Sequence, residues 1–223
     1  MKRLIGAFVF IALCGFQGYA KEGFAFIYRG SVLGILEDNG LEGDPMPLVP
    51  SAGFSLSFGL SPHFRFEPGI DAYFTYYGYS DKLERAVPVA DENRSTAVYG
   101  FLLTLPVEYT YTSKRKIDYR VSLGITADLR LCLLAPGLDD DAQGRSDAQE
   151  QTSRVVSYFW ESGRWLFPTA ALGVDFPGSE KYYIGAEFRS WYPLYRHWTE
   201  EDLPAVENLR FALGVRLAYM SGR

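Results

Sequence analysis

Charged side chains in this chain recur at every second position within stretches that are otherwise apolar. Arg65, Glu67 and Asp71 alternate with Phe64, Phe66, Ile70 and Ala72. Arg120, Asp128 and Arg130 share a run with Val121, Leu123, Ile125 and Leu129. Arg29, Glu108, Glu187, Arg189, Arg210 and Arg216 occupy the same kind of position elsewhere. Guanidinium and carboxylate groups in near balance can pair into a plug, or they can line an ordered path for an anionic solute. A second pattern is metal-like. Asp139, Asp141, Gln143, Gly144, Asp147 and Glu150 match positions 1, 3, 5, 6, 9 and 12 of a calcium-loop template, in which oxygen ligands wrap a hard cation around a glycine turn. Calcium is therefore the one cofactor suggested. The opposing reading is an acidic solvated loop, because Gln143 is a weak substitute for Asp or Asn. Acid–base chemistry has only His63 and His197 to draw on. His63 lies beside Ser61 and Pro62, and His197 lies near Tyr195, Trp198, Glu200, Glu201 and Asp202. Neither has a nucleophile at a matching spacing, so no enzyme activity is expected.

The elements that must position these charges are extended strands. Over 64–77, Phe64, Phe66, Pro68, Ile70, Ala72, Phe74 and Tyr76 fall on one face, and Arg65, Glu67, Gly69, Asp71, Tyr73, Thr75 and Tyr77 on the other. The first face is too apolar for water. The second is too charged for an ordinary dry core. A closed barrel in a lipid bilayer, apolar outside and polar inside, reconciles the two. Seven further segments repeat the pattern, at 23–36, 52–60, 99–110, 119–131, 166–176, 182–189 and 209–219. Most reach the roughly 9–11 residues that a tilted membrane strand requires. The fold class read from the sequence is all-β, an eight-stranded antiparallel up-and-down transmembrane β-barrel.

The connections alternate between long and short. Those at 37–49, 78–97, 135–159 and 193–208 are long and hydrophilic; those at 61–63, 112–118 and 177–181 are short. Outer-membrane barrels have short periplasmic turns and long external loops. The order therefore predicts a bacterial outer-membrane protein with both termini in the periplasm. Residues 1–20 read as an export signal: Lys2 and Arg3, an apolar core, then Gly18, Tyr19 and Ala20 before the cut. Cys14 leaves lipidation open as a second route, although Leu13 is a poor residue to precede it. Residues 21–223 form the barrel. Cys132 is the only other cysteine, so the mature chain has no internal disulfide. A net charge of −5 and the lack of a basic patch speak against nucleic acid.

Aromatic residues gather where strands should cross the two interfaces. Tyr76, Tyr77, Tyr79, Tyr99, Trp160, Trp165, Trp191 and Tyr192 mark one end, and Tyr109, Tyr111, Tyr119, Tyr182 and Tyr219 the other. With these bands the chain resembles the small eight-stranded outer-membrane barrels of the OmpW, OmpX and OmpA-transmembrane type, with OmpW-like proteins favoured. Gly214, Leu217 and Tyr219 in the last strand resemble the family's assembly signal. The added Met220–Arg223 departs from its usual aromatic terminus. The resemblance implies a monomer that meets outer-membrane lipid and the barrel-assembly machinery, and that admits small, mainly hydrophobic solutes across or into the membrane. Pro68 and Pro106 add to this. They fall at nearly the same depth of neighbouring strands, and each lacks a ladder donor, so a lateral seam is expected there unless a bulge absorbs the loss. Two alternatives remain. One is a closed barrel acting as a surface scaffold or adhesin, whose long acidic loops meet host or environmental ligands. The other is a lipid-modifying enzyme using His197.

Overall fold

The computed structural model describes residues 24–36, 48–89, 95–135, 142–179, 181–199 and 208–221. Its strands are β1 (Phe24–Leu36), β2 (Leu48–Gly59), β3 (Phe64–Phe66), β4 (Gly69–Ser80), β5 (Arg85–Val89), β6 (Thr96–Thr112), β7 (Asp118–Leu134), β8 (Leu166–Pro177), β9 (Tyr182–Trp191) and β10 (Leu209–Ser221). One α-helix, α1 (Ala142–Trp160), lies between β7 and β8. The signal segment, Cys14, Asp139 and Asp141 lie outside the described residues.

Every neighbouring pair is antiparallel, and β1 bonds to both β2 and β10, which closes the sheet. β3 and β4 are one strand with a pause at Glu67 and Pro68. Counting them together gives a ring of eight, with β5 as a short extra strand on β4. Closure leaves no sheet edge to solvate, which a strand in hydrocarbon requires.

The two-residue alternation sorts the side chains as the sequence predicts. On β7, Tyr119, Val121, Leu123, Ile125 and Leu131 are exposed, while Arg120, Thr126, Asp128 and Arg130 are buried. The outward row continues around the ring through Val32, Phe54, Phe74, Leu105, Leu172, Ile184 and Leu213. Ile125 and Leu213 are 56% and 65% exposed, a display that water would penalise and lipid does not. Among the described residues no helix is long and apolar enough to cross a membrane. The crossing is made by strands.

One end of the barrel carries the short turns, the start of β1 and the end of β10. At that end Phe64 stacks on Tyr109, Tyr111 faces Tyr119, and Tyr182 packs on Tyr219, with ring centroids 5.4, 6.4 and 5.1 Å apart. These pairs form the expected aromatic band. The opposite, capped end differs from expectation in two ways. Tyr77 and Trp191 are not part of the outer band; they point inward and are 1% and 0% exposed. Their parity explains this, since Tyr77 shares a face with Asp71 and Trp191 shares one with Arg189. Second, two of the expected long connections carry regular structure in their described residues: the first extends β4 into the β4–β5 hairpin, and 142–160 form α1.

Candidate functional site in the barrel interior and beneath its cap

Each inward-facing charge is held by a strand whose two neighbours fix its height, so cross-strand register decides who meets whom. Toward the short-turn end, Arg29, Arg120 and Arg216 meet Glu67, Glu108, Asp175 and Glu187. Arg29 lies 2.5 Å from Glu67 and 3.4 Å from Glu187. Arg120 lies 2.8 Å from Glu108, 2.9 Å from Asp175 and 3.1 Å from Glu187. Arg216 reaches Glu67 at 3.3 Å and Glu108 at 3.5 Å. One step higher, Arg189 grips Asp71 with both terminal nitrogens, at 2.6 and 3.0 Å, and lies 3.2 Å from Glu187. Arg65 donates to Ser57 Oγ at 2.6 Å. Of the sequence-predicted lumen residues, Arg29, Glu67, Asp71, Glu108, Arg120, Glu187, Arg189 and Arg216 thus meet in one cluster, which Asp128, Arg130 and Arg210 do not join. Asp175 is one the sequence reading missed. It belongs to the inward row Phe167, Thr169, Ala171 and Gly173 of β8, and the parity that placed Val174 and Phe176 outside was the available signal.

Above the ionic cluster lies a dry layer containing Leu33, Ile35, Val49, Tyr73, Leu102, Phe167 and Trp191. Its few polar atoms are satisfied internally. Trp191 Nε1 donates to Thr126 at 3.1 Å, and Thr126 also bonds to Thr104 and Thr169. A second charged group follows. Asp128 accepts from Tyr73 Oη at 3.0 Å, from Arg130 Nε at 2.6 Å and from Arg210. The two guanidinium planes lie against rings, Arg130 over Phe159 at 3.9 Å and Arg210 over Phe167 at 4.6 Å.

Large inward groups need room, and glycine on the neighbouring strand supplies it. Gly100 pairs with Tyr73, and a methyl there would sit 2.0 Å from the ring carbon Cζ. Gly173 pairs with Arg120, and a methyl would lie 2.3 Å from its Nη2.

Helix α1 packs over the β4–β7 side of the end that carries the long connections. Val155, Tyr158 and Phe159 are buried against Tyr77, Ala86 and Val98. Phe159 meets Tyr77 edge-on at 4.8 Å. Thr152 and Thr96 share a hydroxyl hydrogen bond of 2.9 Å, and Arg154 pairs with Asp81 at 2.5 Å.

Two sequence expectations change here. The calcium template requires a wound loop, but Gln143, Gly144, Asp147 and Glu150 all lie within α1, where each residue rises along an axis instead of wrapping a centre. Asp147 and Glu150 point to solvent. Among the described residues no group of three or more His, Cys, Asp or Glu is arranged to hold a metal. The proline seam is also not open. Phe66 pairs with Val107 and Gly69 with Thr104, so the register is unbroken across Pro68 and Pro106, and no bulge is inserted. Glu67 N donates to Pro106 O at 3.2 Å, and Leu56 N donates to Pro68 O at 3.0 Å. Each proline forfeits only the reciprocal bond, and the two losses fall in different seams, Pro106 toward β3–β4 and Pro68 toward β2.

Gly214, Leu217 and Tyr219 lie on β10, the strand that completes the ring. His63 sits exposed in a short turn, 5.9 Å from the Tyr109 ring. His197 is exposed at the capped end, and its Nε2 lies 3.2 Å from Tyr192 Oη.

The closed ring, the lipid-compatible outer belt and the polar bore define a small outer-membrane β-barrel. No protein-family model matches the chain, and no curated protein matches it. Solved structures do. The crystal structure of Neisserial surface protein A aligns with 89% of this chain and 97% of its own, at a TM-score of 0.53 and 11% identity. OprG from Pseudomonas aeruginosa aligns over 90% and 98%, with TM-score 0.49 and 12% identity. The Yersinia pestis attachment invasion locus protein Ail aligns over 89% and 98%, with TM-score 0.44 and 8% identity. At such identities the likeness concerns the fold.

Proposed function

We propose that this chain is a closed, non-conducting outer-membrane barrel that works as a surface scaffold through its capped end, with that end outside the cell and both termini in the periplasm. The observation that carries the reading is that every lumen carboxylate is spent on an arginine. Glu67, Asp71, Glu108, Asp128, Asp175 and Glu187 each lie within 3.5 Å of a guanidinium. A solute path would need hydrated, partly free charges. An eight-stranded bore has little width beyond its own side chains, and here it also holds an apolar layer, with a helix packed over one side of its mouth.

OmpW-like entry of hydrophobic solutes, the first reading of the sequence, finds less support in this geometry, because the Pro68–Pro106 region stays in register. The scaffold reading involves no catalysis, and it leaves exposed His197 as a surface group beside the Tyr192 ring and hydroxyl. The chain is proposed to act as a monomer. Purified protein reconstituted in planar bilayers should give no single-channel steps in molar salt, and cells producing it should take up hydrophobic probes no faster than cells without it. Discrete steps or faster uptake would overturn the proposal.

A further inference from the structure

The capped end contains a cleft of about 230 Å³ between α1 and the β4–β5 hairpin, bounded also by the short turn after the helix. Two of its walls carry guanidinium groups that are already fixed in place. Arg154 lies over the Tyr79 ring at 4.2 Å and is tied to Asp81; Arg164 lies over the Tyr158 ring at 4.2 Å and donates to the Tyr158 carbonyl at 3.3 Å. Their ring contacts restrict these long side chains, so a ligand would order little on arrival. Two carboxylates, Glu84 and Glu161, face the same space, together with the hydroxyls of Ser153 and Ser157. The serines are four residues apart, so they share one face of α1. All four of these groups are exposed.

We propose that this cleft is a binding site for a neutral saccharide. The lining holds two cations and two anions, and Asp81 already neutralises Arg154, so the cleft offers no net attraction to an anionic ligand. It is too polar for a hydrocarbon group, and one face of both Tyr79 and Tyr158 is already taken by a guanidinium. What fits is a compact molecule whose groups both donate and accept hydrogen bonds. Vicinal hydroxyls do this, donating to Glu84 and Glu161 while accepting from the guanidinium forks and serines. The volume accommodates a single sugar ring. The inference deepens the scaffold reading, resting on it for the cleft's access to sugars outside the cell.

Saturation-transfer NMR and titration on detergent-solubilised protein test it directly, using glucose, galactose, mannose and N-acetylglucosamine, with glucose 6-sulfate as the charged comparator. At least one neutral sugar should bind saturably. Glu161→Gln should weaken that binding by about tenfold, and Ser157→Leu, which fills the cleft, should abolish it. Both variants should keep the heat-modifiable gel mobility of a folded barrel. Lack of saturable binding by any neutral sugar overturns the proposal. So does tighter binding of the sulfated sugar, or binding that both variants leave unchanged. None of these readouts depends on conductance, so the site can fail while the closed-barrel reading stands, and the reverse.

Discussion

Asp128 shows most sharply what the interior charges do. It is 1% exposed and serves two buried guanidiniums, Arg130 and Arg210, besides the Tyr73 hydroxyl. Asp128→Asn removes the shared counter-charge and leaves two buried cations facing each other. The cost expected from breaking such a pair is about 3–5 kcal/mol, read as a lower urea midpoint for unfolding in micelles. Arg154→Ala removes an ion pair whose side chains are 43% and 77% exposed, and its midpoint should match the parent's. Gly100→Ala tests a different force. The added methyl would overlap the Tyr73 ring, whose hydroxyl is bound to Asp128, so the ring cannot simply swing away. Overpacking of this kind typically costs about 1–3 kcal/mol. Combining it with Tyr73→Ser should cost less than the sum of the two single changes, because the overlap is gone.

The elements differ in how plainly their sequences announce them. The eight membrane strands were legible because lipid on one side and charge on the other enforce strict alternation over long stretches, as at 64–77 and 119–131. Pro68 and Pro106 looked like a breach, since sequence shows a missing donor but not which neighbour it faces. Helix α1 was hidden by its composition. The stretch around Asp139 to Glu150 reads as an acidic loop, and the helix buries only a narrow stripe. That stripe was nonetheless present: Ala148, Thr152, Val155 and Phe159 recur at four, three and four residues, and Thr152 gains a partner only once Thr96 is beside it. The polar cleft could not be read from sequence at all, because Tyr79, Glu84 and Glu161 come from segments that the fold alone brings together. Phe159 is the anchor of the cap, edge-on to Tyr77 and beneath Arg130. Phe159→Ala should loosen α1 without unfolding the ring. The expected result is faster protease cleavage within residues 142–160, with the barrel's heat-modifiable shift retained.

At the scale of the whole molecule, three barriers are stacked in series: the helix at the mouth, the apolar layer around Phe167 and Trp191, and the ionic cluster nearer the short turns. They rest on different forces. The helix is held by a small apolar face, one hydroxyl pair and an exposed ion pair, whereas the cluster is held by register. Arg29, Arg120 and Arg216 come from β1, β7 and β10, and Glu67, Glu108 and Glu187 sit at or beside β3, β6 and β9, so the pairs span the ring. Replacing residues 136–163 with a short Gly-Ser linker should therefore leave the bore closed to ions in planar bilayers. Because β7 runs on to Leu134 while Leu166 pairs with Ala127, the linker must turn back along that overhang, which takes about ten residues. Conductance in that variant would mean that the helix alone had sealed the barrel and that the pairs beneath it are hydrated enough to pass ions. Adding Glu108→Gln and Glu187→Gln to the same variant removes two of the carboxylates that hold Arg120 and Arg216. Arg120 keeps Asp175 and Arg216 keeps Glu67, so the two arginines stay tethered with fewer counter-charges and the ionic barrier weakens. Conductance should then appear only when Trp191→Ala also opens the apolar layer, with a preference for anions, because the charge left in the bore is positive.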